Sequence, residues 1–310
     1  MALRNAGESV WHLLIFKSIW KESIRNEFIR KESIGKNLSG KTGGDIMPAI
    51  YAHDRFGAKV SELVNGQLKD TIHAHYTQFQ IGLQGPDIFF FYRPWSKNKV
   101  NQYGTHLHGI SAYPFFKHAL LVVRKKGRGS KEYAYLIGFI CHFILDSECH
   151  PYVEKMIGET GVQHLEIEEE FEKMLLRMDG KDPISYPNAD LVPTDEETVE
   201  AIFPFYHKGM TPEIVEQSLK DLKLVKRLFR QPTAAGQAVI NTAMKALGQY
   251  GKMKGLMNQR TDNPLCKETN EGLIQRFDDS VEIAVRMIES FDESLTNGKP
   301  LEERFDRTFE

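Results

Sequence analysis

Apolar residues recur every three to four positions through most of this chain, the spacing of one face of a helix. It predicts helices over 47–65, 70–82, 110–127, 131–147 and 160–179, and again over 195–205, 211–230, 233–258 and 268–296. An irregular stretch, Gly85-Pro-Asp-Ile-Phe-Phe-Phe-Tyr-Arg-Pro94, and a polar run to Gly104 separate the second helix from the third. Gly180-Lys-Asp-Pro183 stops a helix, and residues 185–193 form a turn-rich link. No strand alternation, hairpin dipeptide series or fixed-period repeat interrupts the pattern. The expectation is an all-α fold, a single multi-helix domain with no β-sandwich module. Its candidate chemistry lies within 47–170, and 180–310 serves as helical scaffold or lid.

The first 46 residues read differently, as scattered charge and a Gly/Lys/Ser-rich tract from Gly35 to Gly44. We expect a leader or a mis-assigned upstream segment here, poorly ordered, with the helical domain spanning 47–310. Gly43-Gly-Asp-Ile-Met47 can be encoded by a GGAGG shortly before an ATG, a bacterial ribosome-binding signal. The expected physiological start is therefore Met47.

Composition narrows the function classes. Forty basic and 42 acidic residues give a net charge of -2, so no global field favours nucleic acid or an anionic membrane. The basic tract Arg124–Arg128 reads as a solvated loop. Three cysteines, Cys141, Cys149 and Cys266, supply no disulfide framework and fit a reducing compartment. The longest uncharged apolar run, Ala134 to Leu145, falls well short of the ~20 residues a spanning helix needs. Trp11–Lys17 is too short for a secretory core. The expected location is cytoplasmic.

Chemistry concentrates in His142-Phe-Ile-Leu-Asp146-Ser-Glu-Cys-His150 and His164-Leu-Glu-Ile-Glu168. At 3.6 residues per turn, His142, Asp146 and His150 share one helix face, and His164 and Glu168 repeat the i, i+4 step. Apolar neighbours put the first face in a core, where ionisable groups need a partner, and a divalent cation is the commonest for imidazole with carboxylate. His164 and Glu168 read equally well as a surface pair, because Glu166, Glu169 and Glu170 mark that helix as solvent-facing. Upstream stand His53 on the first core helix, Asp87 in Gly85-Pro86-Asp87, and His106 and His108 just before a helix starting near Ile110. His73, His75 and His118 lack a paired carboxylate at helical spacing. Cys141 and Cys149 point about 100° away from their neighbouring histidines and read as core. Phe89–Tyr92 could wall an acyl or base pocket, with core packing the stronger reading.

The ordered series His, Gly-Pro-Asp, His, His-x-x-x-Asp, His-Pro and His-x-x-x-Glu resembles the zinc-dependent phospholipase C family, which shares its helical fold with zinc single-strand nucleases. The resemblance covers roughly Met47 to Glu170. It implies two or three zinc ions: one on Asp87, His108, His142 and Asp146, a second on His150, His164 and Glu168, a third on His53 and Asp146. In the family a free N-terminal amine completes the third, which here requires a chain starting near Met47. The resemblance also implies a phosphodiester hydrolase in which metal-activated water attacks phosphorus, with Asp87 as general base. The expected partner is a small phosphodiester or phospholipid substrate, with no stable nucleic-acid partner. Alternatives are nuclease-like phosphodiester cleavage or a structural zinc protein. Iron or manganese also suits His-plus-carboxylate donors.

Overall fold

The computed structural model describes residues 49–207 and 209–310. The expected leader 1–46 and the start at Met47 lie outside the described residues. The fold is all-α, with no strand among the described residues. In chain order the helices are α1 (Ile50–Leu63), α2 (Gly66–Ala74), α3 (Tyr76–Gly82), α4 (Lys99–His108), α5 (Tyr113–Lys126), α6 (Lys131–Thr160), α7 (His164–Met178), α8 (Glu196–Ile202), α9 (Pro212–Phe229), α10 (Ala234–Ala246), α11 (Tyr250–Met253) and α12 (Lys267–Asn297).

The axis of the molecule is α6. It is buried on every side from Glu132 to Ser147, as expected of a helix that is apolar all round rather than amphipathic. Helices α1, α2, α3, α5, α7, α8 and α12 all pack against it. Two glycines set the closest approach: a Cβ on Gly82 would lie 2.1 Å from the Tyr135 carbonyl oxygen, and one on Gly138 2.1 Å from that of Phe79. A cluster of Phe115, Phe116, Phe139, Phe143, Phe291 and Phe305 joins α5, α6, α12 and the C-terminal tail. All three cysteines are buried and unbridged.

Several boundaries differ from the sequence pattern, each for a local reason. The expected 70–82 helix begins at Gly66 and breaks at His75 into α2 and α3. The polar run before Gly104 is not irregular, because Lys99–His108 is helical. Asn98 starts that helix with a capping box: its side chain accepts from Val100 and Asn101, while the Asn101 side chain accepts from the Asn98 amide. Helix α6 does not stop at 147 but runs through Pro151 to Thr160, ending on Gly161 at φ 71°. The expected 233–258 helix is divided into α10, α11 and a 3-10 turn. The acidic face of α7 is not solvent-facing. Glu166, Glu169, Glu170 and Glu172 are buried because the chain supplies donors to them: Asn263 and Lys254 to Glu166, the Gln259 amide to Glu169, the Asn263 amide to Glu170, and the Tyr51 amide to Glu172.

Candidate metal centre

Five stretches of chain, α6 among them, carry polar side chains to one buried locus. Helix α6 presents His142, Asp146 and His150 at successive turns of one face. Helix α7 adds His164 and Glu168 from its first turns, and α1 adds His53. Asp87 comes from the 3-10 turn Gly85–Phe91, where Pro86 fixes the backbone and Gly85 adopts φ 49°. A Cβ on Gly85 would sit 2.1 Å from His142 Cδ2, so only a glycine lets this turn reach the imidazole. His108 is the last residue of α4, not a residue ahead of a helix as its sequence context implied. It is buried against Asp87, whereas His106 points into solvent.

Two donor sets result. In the first, Asp87, His108, His142 and Asp146 bring their ligand atoms within 4.8 Å of one another; in the second, His150, His164 and Glu168 do the same. Asp146 links them, its carboxylate 3.1 Å from His142 Nε2, 3.8 Å from His150 Nε2 and 3.3 Å from His53 Nε2. Glu168 lies 2.9 Å from His164 Nε2 and 3.8 Å from His150 Nε2. His108 Nε2 lies 2.8 Å from Asp87. His53 stacks on His142 with ring centroids 4.5 Å apart.

Backbone carbonyls fix three of the imidazoles. His108 Nδ1 donates to the Gly104 carbonyl at 2.8 Å, His142 Nδ1 to Leu83 at 3.1 Å, and His150 Nδ1 to Phe309 at 2.7 Å. A carbonyl only accepts, so in the neutral ring the proton stays on Nδ1 and the Nε2 lone pair faces the centre. That is the tautomer a metal-binding histidine needs. At the centre itself, His142 Nε2, Asp146 Oδ2 and Glu168 Oε2 are buried without a hydrogen-bond partner. Buried polar atoms are rarely left so, and several aimed into one space fit a cation of divalent type.

The charge balance fits the same group. Burial opposes ionisation of Asp146, yet His142, His150 and His53 hold its carboxyl far below the usual range. Against burial again, His164 and His150 pull Glu168 down to about 2. Burial alone lowers a histidine, but Asp146 and Glu168 raise His150 to about 9. His53 falls to about 4, through burial first and then its neighbour His142.

The histidines read as non-ligands lie outside the locus, and the Phe89–Tyr92 run packs as expected. His73 is exposed, His75 binds the Gly129 carbonyl, and His118 binds that of Pro204. Phe89, Phe90 and Phe91 are all buried in the core. Two neighbours were overlooked. Lys226, on α9, lines a cleft with Glu168, Glu172, Tyr186 and Arg230. Its signal was legible, since it falls on the apolar stripe Val215, Leu219, Leu222, Phe229 of an otherwise amphipathic helix. The Phe309 carbonyl left no side-chain signal.

The protein is thus all-helical among its described residues, with two buried histidine–carboxylate sets beside one central helix that could hold metal ions. The sequence model of the zinc-dependent phospholipase C family matches residues 52–222, more than half of the chain, and the chain belongs to that family. No curated protein and no solved structure gives a significant match. No helix among the described residues is long and apolar enough to cross a membrane.

Proposed function

We propose that this protein is a zinc-dependent phosphodiester hydrolase of phospholipase C type. The observation that carries the proposal is the convergence of seven donors from separate stretches into two adjoining sets, with buried lone pairs left over. Asp87, His108, His142 and Asp146 would hold one ion, and His150, His164 and Glu168 another. His53 and Asp146 are the chain's contribution to a third. Bound there, zinc supplies Lewis acidity toward phosphate oxygens and makes water a nucleophile near neutral pH.

The chain's own residues would do the rest. Asp146, a donor of the first set whose carboxylate lies 3.8 Å from His150 of the second, would set their separation. Asp87, held by His108, has a carboxylate beside the locus and would take the proton from the attacking water. The second set has only three protein donors, and open coordination is the mark of a catalytic rather than a structural zinc site. Lys226 and Arg230 line the cleft beside Glu168, together with Glu169 and Glu172.

The test is an assay panel of p-nitrophenylphosphorylcholine, short-chain phosphatidylcholine and single-stranded DNA, run with chelator and zinc add-back alongside elemental analysis. Two or three zinc ions per chain and chelator-sensitive cleavage of the choline esters are expected. Cleavage of DNA alone would favour the nuclease reading. Tightly held zinc with no turnover on any substrate would defeat catalysis.

A further inference from the structure

The tail 301–310 lies beyond the stretch that carries the family resemblance, yet it reaches the centre. Its docking begins with a defect in α6. Pro151 has no N–H, so the Ser147 carbonyl one turn earlier loses its helical partner. Arg307 Nη2 donates to that carbonyl at 3.1 Å. Arg304 and Arg307 both pair with Glu148 on the next residue of the helix. The Arg307 carbonyl accepts from the Ala112 amide at 3.0 Å, and Asp306 accepts from Ser111 Oγ at 2.5 Å.

Two residues on, Phe309 ties the donor sets together through its main chain. Its amide donates to the His108 carbonyl at 3.2 Å, and its carbonyl accepts from His150 Nδ1 at 2.7 Å. One of those histidines belongs to each set. The Phe309 ring is buried, with centroids 5.0 Å from His108 and 5.8 Å from His142.

We infer that Phe309 is a positioning residue of the metal centre. Its carbonyl sets the tautomer and aim of His150, and the arginines ahead of it deliver that carbonyl to the break at Pro151. This rests on metal binding by the two donor sets as proposed above. Without the carbonyl, His150 keeps neither a fixed tautomer nor a fixed orientation. The set with three protein donors then suffers most, since it has no fourth to compensate. Loss of such an outer partner costs on the order of 10- to 100-fold in metal affinity.

The experiment compares the full chain, a chain ending at Arg307, a chain lacking only Glu310, and Phe309→Leu. The readouts are zinc per chain, zinc affinity by chelator competition, and the absorption spectrum of the cobalt-substituted protein. The chain ending at Arg307 should lose one ion, or bind it about 10- to 100-fold more weakly, with one component of the cobalt spectrum gone. Removing Glu310 leaves an oxygen acceptor at Phe309, and Phe309→Leu keeps both the carbonyl and most of the packing, so both should bind as the full chain does. Equal affinity in the chain ending at Arg307 overturns the inference. So does an equal loss in Phe309→Leu, which would assign the effect to ring packing. If the shortened chain does not fold, Arg307→Met decides: it frees the Ser147 carbonyl and should weaken the same ion, and unchanged affinity sinks the idea. A full chain that binds no zinc would instead defeat the proposed function.

Discussion

Two clusters of buried charge lie within three turns of each other on α7, and the chain treats them in opposite ways. Around Lys173, which is fully buried, Glu169, Glu170 and Asp262 each place an oxygen 3.0 Å from Nζ, and the Gln259 carbonyl lies at 3.1 Å. Here the cation is the chain's own. At Glu168 and the α6 face, carboxylates and imidazoles form the donor sets themselves, with Lys226 only lining the adjoining cleft, and lone pairs remain without partners. Burying charge is costly unless it is compensated. The first cluster carries its own cation, although Glu169 Oε2 there also lacks a hydrogen-bond partner, whereas the second, on the function proposed above, would be completed by bound metal.

The most severe way to test this contrast is Asp146→Asn. That carboxylate touches three imidazoles. Its loss should release at least one zinc ion and cut turnover by at least ~10²-fold, the scale of losing one transition-state contact. Elemental analysis and the choline-ester assay read both effects. Full activity with all metal retained would remove Asp146 from the centre.

Lys173→Met attacks the other cluster. It leaves Glu169 and Glu170 without their cation, and should cost roughly 3–5 kcal/mol in denaturant unfolding. Zinc content should not change. If metal is lost along with stability, the clusters are one unit.

The smallest effect separates the two by pH. Asp146 and Glu168 raise His150 to about 9, above the usual 6.5, while burial raises Glu169 to about 8, above the usual 4.5. Both therefore bind more protons folded than unfolded between pH 6.5 and 8. Their contributions are complete below the unfolded values and are lost as pH rises through the folded ones. Metal-free protein should lose roughly 1 kcal/mol per pH unit for each proton across that window. Zinc bound as proposed would hold His150 unprotonated, so in loaded protein the His150 part should vanish and the Glu169 part remain. Identical slopes with and without zinc would contradict the assignment of His150.

The sequence revealed what side chains declare at regular spacing. His142, Asp146 and His150 stood out because a helix face is periodic, and Gly85-Pro86-Asp87 because its turn chemistry is specific. Helix α4 was hidden because only Val100 and Leu107 of its four buried positions are apolar side chains, the others being Gly104 and His108. The apolar pattern ended this helix at 147, but α6 continues through Pro151, where Arg307 satisfies the carbonyl that proline abandons. The acidic run on α7 looked like a wetted surface, since its donors arrive from residues 254–263, some 90 positions later. Main-chain contacts such as that of Phe309 leave no trace in residue type.

Gly85 has one more effect. The surface facing His142 there is main chain, nearer than any side chain could come, and His142 is the least exposed of all the donors. A wall without rotamers cannot swing aside. That imidazole, the donor ring least exposed to water, is steered by the course of the polypeptide itself.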